Sequence, residues 1–225
     1  MNSKYQQLTR LPLFQGVSTE KITALVEKLP FHFLKYQNGE QIFAAGDPCT
    51  HIKFIVSGRI RLDTPFTNLK VSLQQTLAAP HVLAAEYLFG RETVYPFSAC
   101  AEGSCGILQL LKSDYIKMIS SDKVFLFNIL NYLSSGSQRG MWSALIVNDG
   151  SVPERLALIV DALTATGAKD ITLRYKQKDL CTLLCTQRTT LIAALDKLSE
   201  QEVIKYDSNE LHILDTRQLF GLLKY

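Results

Sequence analysis

Residues 177–203, QKDLCTLLCTQRTTLIAALDKLSEQEV, decide how the rest of the chain is read. Leu180, Leu183 and Leu184 fall at i, i+3, i+4, and Leu191, Ala194, Leu195 and Leu198 repeat at i, i+3, i+4, i+7. Two short helices are therefore expected, each with one apolar stripe and one free face. Thr186, Gln187, Arg188, Thr189 and Thr190 give the second helix a polar start. Hydroxyls and backbone N–H groups at a helix N-terminus can hold phosphates, and side chains there can reach base edges. Arg188 is the expected base reader, because a guanidinium fork fits two guanine acceptors and such a contact discriminates by roughly 1–3 kcal/mol.

The flanks agree with this reading. Residues 203–206 and 210–214 are strand-like on either side of the turn residues Asp207-Ser208-Asn209, which suits a two-stranded wing. Upstream, Arg174, Lys176 and Lys178 bring positive charge beside the polar start of the helix. A winged helix-turn-helix is expected, with Lys176 and Lys178 on phosphates and Thr186 to Thr190 facing the DNA. A helical subdomain without nucleic acid is the plain alternative, since leucine-striped helix pairs are common. From Ser151 onward ten Lys/Arg balance ten Asp/Glu, so a local basic face must supply the attraction. Dimerisation is then expected to supply the affinity that one copy lacks.

With 225 residues, 47% hydrophobic and 20% charged, and a net charge of +3, the composition suits one or two globular domains. Residues 1–10 are polar and no apolar run reaches the length of a membrane span, so a cytoplasmic protein is expected. The five cysteines, Cys49, Cys100, Cys105, Cys181 and Cys185, are expected as reduced thiols. Cys181 and Cys185, four residues apart, read as small packing residues of the two-helix segment. Neither the cysteines nor His32, His51, His81 and His212 show metal-ligand spacing, so no metal site is expected; an axial haem ligand among the histidines stays open. No nucleophile-and-base set or phosphate-cradling loop is present, and the chain is expected not to be an enzyme. A cupin-like metal enzyme would fit the roll described next but lacks a ligand set.

Residues 13–29 read as a short helix with Ser18 as N-cap and Ile22, Leu25, Val26 and Leu29 on one face. From 31 to 111, short apolar runs (41–43, 52–56, 60–62, 71–77, 107–111) alternate with turn residues, Gly39, Gly46 and Gly58 among them, which predicts a β-sandwich or roll. Ser57-Gly58 reads as a tight hairpin between two strands. In 122–147, Leu126, Leu130, Leu133, Ser137, Gly140, Ala144 and Val147 follow steps of four and three, a coiled-coil seam that predicts a homodimer. A helix packed on its own domain is the alternative. Asn148-Asp149-Gly150 forms a hinge, Ser151 to Glu154 restart a helix with capping-box spacing and Pro153 in its first turn, and Gly167 closes that helix. The expected domains are 1–121, an effector-sensing roll; 122–149, the dimerisation helix and hinge; and 150–225, the DNA-binding part.

Taken together with Leu11-Pro12-Leu13-Phe14-Gln15-Gly16, Gly39-Glu40, Gly46-Asp47, Ser57-Gly58-Arg59 and the segment from Gln177-Lys178-Asp179-Leu180 to Arg188-Thr189-Thr190, this order resembles the Crp/Fnr family of bacterial transcription regulators over nearly the whole chain. The resemblance implies an α+β fold: an N-terminal cyclic-nucleotide-binding-like β-roll (a double-stranded jelly roll), a long dimerisation helix and a C-terminal winged helix-turn-helix. It also implies a homodimer on a two-fold symmetric double-stranded DNA operator, a small effector sensed in the roll, and RNA polymerase as a further partner. A dimeric effector-binding module, sensing haem or another ligand without cyclic-nucleotide binding, is the competing reading.

In the cyclic-nucleotide binders of that family a Gly-Glu pair holds the ribose and an Arg-Ser pair holds the cyclic phosphate. The matching residues here are Ala85-Glu86 and Phe97-Ser98, so the phosphate's cation is replaced by Phe97. Arg91, in the intervening loop, could substitute by folding back. A buried phosphate without a cation costs several kcal/mol, so cyclic AMP is not the expected ligand. Glu86, Arg91, Phe97 and Ser98 are the candidate effector-pocket residues, and the adenine-contacting positions fall near Gly140 and Met141. Thr189 replaces a Glu and Ala193 a second Arg of the reading helix, so the operator is expected to differ. Cys185 stands where the turn usually has Gly, so the turn either avoids positive φ or carries strain. The resemblance places an Fe–S cluster's cysteines ahead of the roll; the first cysteine here is Cys49, and no such cluster is expected.

Overall fold

Ser18 starts the first helix, α1 (Thr19–Lys28), by accepting a hydrogen bond from the Lys21 N–H at 3.3 Å, and Ile22 is buried on its inner face. The helix is shorter than its sequence pattern, because Pro12–Phe14 forms a separate 3-10 turn that buries Leu13 and Phe14. The computed structural model describes residues 8–66, 68–146 and 150–223, with only the backbone of 139–146. The predicted seam positions Gly140, Ala144 and Val147, the adenine-contacting Met141, and Asn148-Asp149 of the hinge lie outside the described side chains or residues. The chain divides into two units, one within Met1–Arg61 and Leu77–Ser137, the other within Leu62–Thr76 and Gln138–Tyr225.

In the first unit, β1 (His32–Tyr36) runs antiparallel to β6 (Ser98–Leu111), from His32 opposite Gln109 to Tyr36 opposite Cys105. β2 (Gln41–Phe43) pairs with the other end of β6, and β5 (His81–Leu83) pairs with β3 (His51–Pro65), Lys53 lying opposite Leu83. α2 (Lys112–Ser121) ends at Asp122, whose extended backbone separates it from α3 (Lys123–Ile146). Phe14 meets Phe54 of β3 and Phe125 of α3 edge to face, with ring centroids 5.6 and 5.7 Å apart. This geometry suits the ring quadrupoles and ties turn, strand and helix into one core.

β3 corrects one sequence expectation. The strand runs unbroken from His51 to Pro65, so Ser57-Gly58 is not a hairpin turn. Gly58 sits inside the strand at φ +77°, and a Cβ there would lie 2.3 Å from the Ser104 carbonyl oxygen and 2.8 Å from Cys105 Cα. A glycine within a strand marks a close backbone approach as readily as a turn does. The residues that approach are more than forty positions away in the chain, beyond the reach of local pattern.

The second unit is built on α4 (Val152–Leu163), which begins with the complete capping box predicted: Ser151 Oγ accepts from the Glu154 N–H, and the Glu154 carboxylate accepts from the Ser151 N–H. β7 (Lys169–Tyr175), unassigned from sequence, pairs with β9 (Glu210–Ile213) on one side and with β4 (Val71–Ala78) on the other, Leu73 lying opposite Leu173. β8 (Ile204–Tyr206) completes the ribbon with β9, and α7 (Thr216–Phe220) follows. Between β7 and β8 lie α5 (Gln177–Leu183) and α6 (Arg188–Glu200). The core joins Leu156 and Val160 of α4 to Leu180, Leu191, Leu195 and Leu198, with Val71 and Leu73 of β4 packed among them. Fully burying such a side chain is worth about 1.5–3 kcal/mol. Among the described residues no helix is long and apolar enough to cross a membrane.

Candidate nucleic-acid interface and effector pocket

Leu191, Leu195 and Leu198 are buried, and this stripe fixes which side of α6 faces out. Its first turn carries Arg188, Thr189 and Thr190, all exposed, behind an extended Gln187 whose side chain makes no cap hydrogen bond. The leading backbone N–H groups are thus left to an outside acceptor, at the positive end of the helix dipole. Arg188 has no hydrogen-bond or ion-pair partner among the described residues. Lys178 on α5 is exposed, Thr186 is half-buried in the turn, and both line a shallow groove of about 620 Å³ with Cys181, Thr182, Cys185, Gln187 and Thr190.

Lys176, at the N-cap of α5, lines a second groove of about 470 Å³ with Lys70, Ser72, Arg174 and Asn209. Arg174 is partly neutralised there by Glu210, its Nε donating to the carboxylate at 2.7 Å. Lys70 reaches this groove through the pairing of β4 with β7, and its own neighbourhood in the sequence gives no sign of that. At the ribbon tip Asp207 accepts from the N–H groups of Asn209 and Glu210 at 2.7 and 2.8 Å, and these bonds hold its carboxyl below the usual range.

Arg155 is a further residue that sequence pattern misses. From α4 it donates through Nε to the Gly150 carbonyl at 2.9 Å and through Nη1 to the carbonyls of Leu184 and Cys185 at 2.8 and 3.1 Å. A guanidinium therefore satisfies carbonyls at the end of α5 and fixes the turn that aims α6. Within that turn Thr186 N–H donates to the Cys181 carbonyl at 3.0 Å and Cys185 N–H to that of Thr182 at 3.2 Å, the paired bonds of a Schellman motif. Cys185 accordingly takes φ +46°, so the strained option is the one adopted. The left-handed step also turns Cys185 outward: it is exposed while Cys181 is half-buried, and so it is not the packing residue that its spacing suggests. A non-glycine residue in this region costs about 1–2 kcal/mol, partly offset by the greater freedom of glycine when unfolded. Cys185→Gly is expected to stabilise the chain by about 0.5–1 kcal/mol, seen as a rise in thermal midpoint; an unchanged or lower midpoint would contradict the strain.

In the roll, Ala84 adopts φ 55° and leads into a 3-10 turn, Ala85–Tyr87, on which Glu86 is exposed. Arg91 is exposed as well. Phe97 is half-buried, its ring 5.9 Å from Phe43 and edge-on to Tyr87 at 5.8 Å, and Phe43 stacks on Tyr95 at 3.7 Å. Ser98 Oγ accepts a hydrogen bond from the Ala45 N–H at 3.0 Å. The four candidate residues therefore comprise two exposed charges, an aromatic ring packed among others, and a hydroxyl already engaged by backbone. Nearby, burial raises the Cys49 thiol, lowers the Lys53 ammonium and raises the Tyr95 phenol, whose hydroxyl lies against that thiol. Burial also pushes His81 down to about 4. Among the described residues no group of three or more His, Cys, Asp or Glu could hold a metal ion.

Residues 33–122 match the family model of the cyclic nucleotide-binding domain. No curated protein sequence matches the chain. Among solved structures the chain is similar to the catabolite activator protein of Thermus thermophilus, at 21% identity and a TM-score of 0.54, with 94% of this chain and 100% of that one covered. It is also similar to a CooA variant from Carboxydothermus hydrogenoformans, at 15% identity and a TM-score of 0.52, with 98% and 96% covered. Both likenesses extend past the matched domain to nearly the whole chain. Residues 33–122 thus match a domain of the cyclic nucleotide-binding type, within a chain whose fold is similar over nearly its whole length to those of these two proteins.

Proposed function

We propose that the chain is a homodimeric, sequence-specific DNA-binding transcription regulator of the Crp/Fnr type, governed by a small effector other than cyclic AMP. The observation that carries this reading is the exposed, unpartnered first turn of α6, held on a helix whose opposite stripe is buried. Such a turn offers free N–H groups and hydroxyls to phosphates and a rigidly mounted guanidinium to a guanine. Arg188 reads bases; Thr186, Gln187, Thr189 and Thr190 line the same approach; Lys176 and Lys178 meet phosphates. α3 supports the dimer, since Leu126, Phe127 and Leu130 leave an apolar flank exposed that a second copy would cover. In this division of labour 1–121 senses, 122–149 dimerises and 150–225 binds the operator as a winged helix-turn-helix.

The test begins with selection of an operator from random DNA. Arg188→Ala is expected to lose about 1–3 kcal/mol per half-site and to relax preference at one base pair. Lys178→Ala should weaken all sequences alike and reduce the salt slope by about one. Two-fold symmetry requires half-sites about 34 Å apart. Selection that yields no palindrome, or unchanged sequence preference in Arg188→Ala, would reject α6 as the reader.

The effector reading rests on Phe97, which packs with Phe43 and Tyr87 where the resemblance places the phosphate's cation. Titration calorimetry with cyclic AMP is expected to give a Kd much weaker than about 1 μM, or roughly −8 kcal/mol. A tighter value would make Arg91 the phosphate's partner.

A further inference from the structure

We propose that Lys70, between β3 and β4, belongs to the DNA-binding surface, where it forms with Lys176 and Arg174 a basic groove for the phosphate backbone of duplex DNA. This contact rests on the DNA-binding reading above and extends it into a stretch of chain otherwise given to effector sensing.

Backbone bonds tie Lys70 to the start of α5. Its carbonyl accepts from the Lys176 N–H at 3.0 Å, and its own N–H donates to the Asp179 carboxylate at 3.3 Å. The ladder between β4 and β7 continues from there, with Val71 opposite Tyr175 and Ser72 opposite Arg174. Two lysines from distant parts of the sequence are thus fixed side by side. Both are exposed, and both line the groove of about 470 Å³ with Ser72, Arg174, Asn209 and Glu210.

Charge decides what this groove can hold. Its lining carries three cations, Lys70, Arg174 and Lys176, against one carboxylate, Glu210. That carboxylate is taken up by Arg174, whose Nε donates to it at 2.7 Å, and the Asp179 carboxylate nearby is engaged by the Lys70 backbone. The ammonium groups of Lys70 and Lys176 have no ion-pair partner among the described residues. Two unpaired cations, with a hydroxyl from Ser72 and an amide from Asn209, are the donors that backbone phosphates accept from.

Position points to duplex DNA as the source of those phosphates. Lys178 lines the groove at the start of α6, and Lys176, two residues earlier, lines this one. At about 3.5 Å of chain per residue their Cα atoms lie within about 7 Å of each other, roughly two phosphate steps of one strand at about 3.4 Å of helix axis each. A strand held by Lys178 therefore has its next phosphates within reach of Lys176 and Lys70.

The test follows the salt dependence of binding by full-length protein to the selected operator, read by fluorescence anisotropy. Lys70→Gln keeps both backbone bonds, so its thermal midpoint should match wild type. Its slope of log affinity against log salt should be shallower by about 0.9 for each half-site contacted, with sequence preference unchanged. Lys197→Gln, which removes an exposed lysine from the last turn of α6, controls for net charge and should keep the wild-type slope. Ethylation of at least one operator phosphate should hinder wild type but not Lys70→Gln. A wild-type slope in Lys70→Gln, an equal loss in Lys197→Gln, or the same ethylation pattern in wild type and Lys70→Gln would overturn the groove as a DNA contact and leave α6 as reader untouched, since Arg188→Ala decides that separately. A wild-type protein that binds no duplex at any salt would reject the DNA-binding reading and this contact with it.

Discussion

Gly58→Ala is expected to lower the stability of the first unit by about 2–5 kcal/mol, enough at its upper end to unfold a marginal domain. Two costs add. The new Cβ would lie 2.3 Å from the Ser104 carbonyl oxygen and 2.8 Å from Cys105 Cα, and both are backbone atoms that cannot swing aside. Forcing extra volume into such a contact costs about 1–3 kcal/mol or more. The residue must also hold φ +77°, which adds about 1–2 kcal/mol for an L side chain. Gly39→Ala separates the terms: it has φ +82° but nothing within 4 Å, so only the conformational cost should appear. Urea denaturation of both variants measures the difference. Equal losses would mean that β3 and β6 do not approach closely at Gly58.

Gln75→Leu carries the second large effect, in the other unit. Gln75 is 2% exposed and bridges the end of α4: its Nε2 donates to the Leu163 carbonyl at 2.8 Å, and its Oε1 accepts from the Ala165 N–H at 2.8 Å. Leucine fills much the same space but leaves both backbone groups without a partner. Each unsatisfied buried group costs about 1–3 kcal/mol, so a loss of about 2–5 kcal/mol is expected. Faster hydrogen exchange at the Ala165 amide should accompany it. A loss below about 1 kcal/mol with Ala165 still protected would show that other donors and acceptors replace the amide.

These two residues mark where the sequence stops being legible. Ser18, the Ser151–Glu154 capping box, the leucine stripes of α5 and α6 and the ribbon strands were all readable, because each signal lies within one or two turns of the residues it orders. Gly58 was misread as a turn because its reason, the Ser104–Cys105 backbone, comes from another strand. Gln75, Lys70 and Arg155 act on carbonyls or grooves supplied by distant segments, and periodicity reports which face is buried without naming what covers it. At the roll, the loss of an arginine at Phe97 could be seen in the sequence. The rings that pack around it, from Phe43, Tyr87 and Tyr95, could not. Cys185 is a middle case: the turn was foreseen, but only the backbone could settle the sign of φ.

Because Leu62–Thr76 folds with Gln138–Tyr225, the C-terminal unit is discontinuous in the gene. A fragment starting at Gly150 would lack Val71 and Leu73 from its core, lose the amide that satisfies Leu163 and Ala165, and expose the edge of β7 that β4 now covers. An uncovered edge strand pairs with whatever strand it meets. A single crossover near the hinge would therefore hand a recipient an incomplete and sticky module. Only a double exchange that carries Leu62–Thr76 along would transplant a working one, and so lineages that shuffle these parts should inherit that segment together with the C-terminal residues it covers.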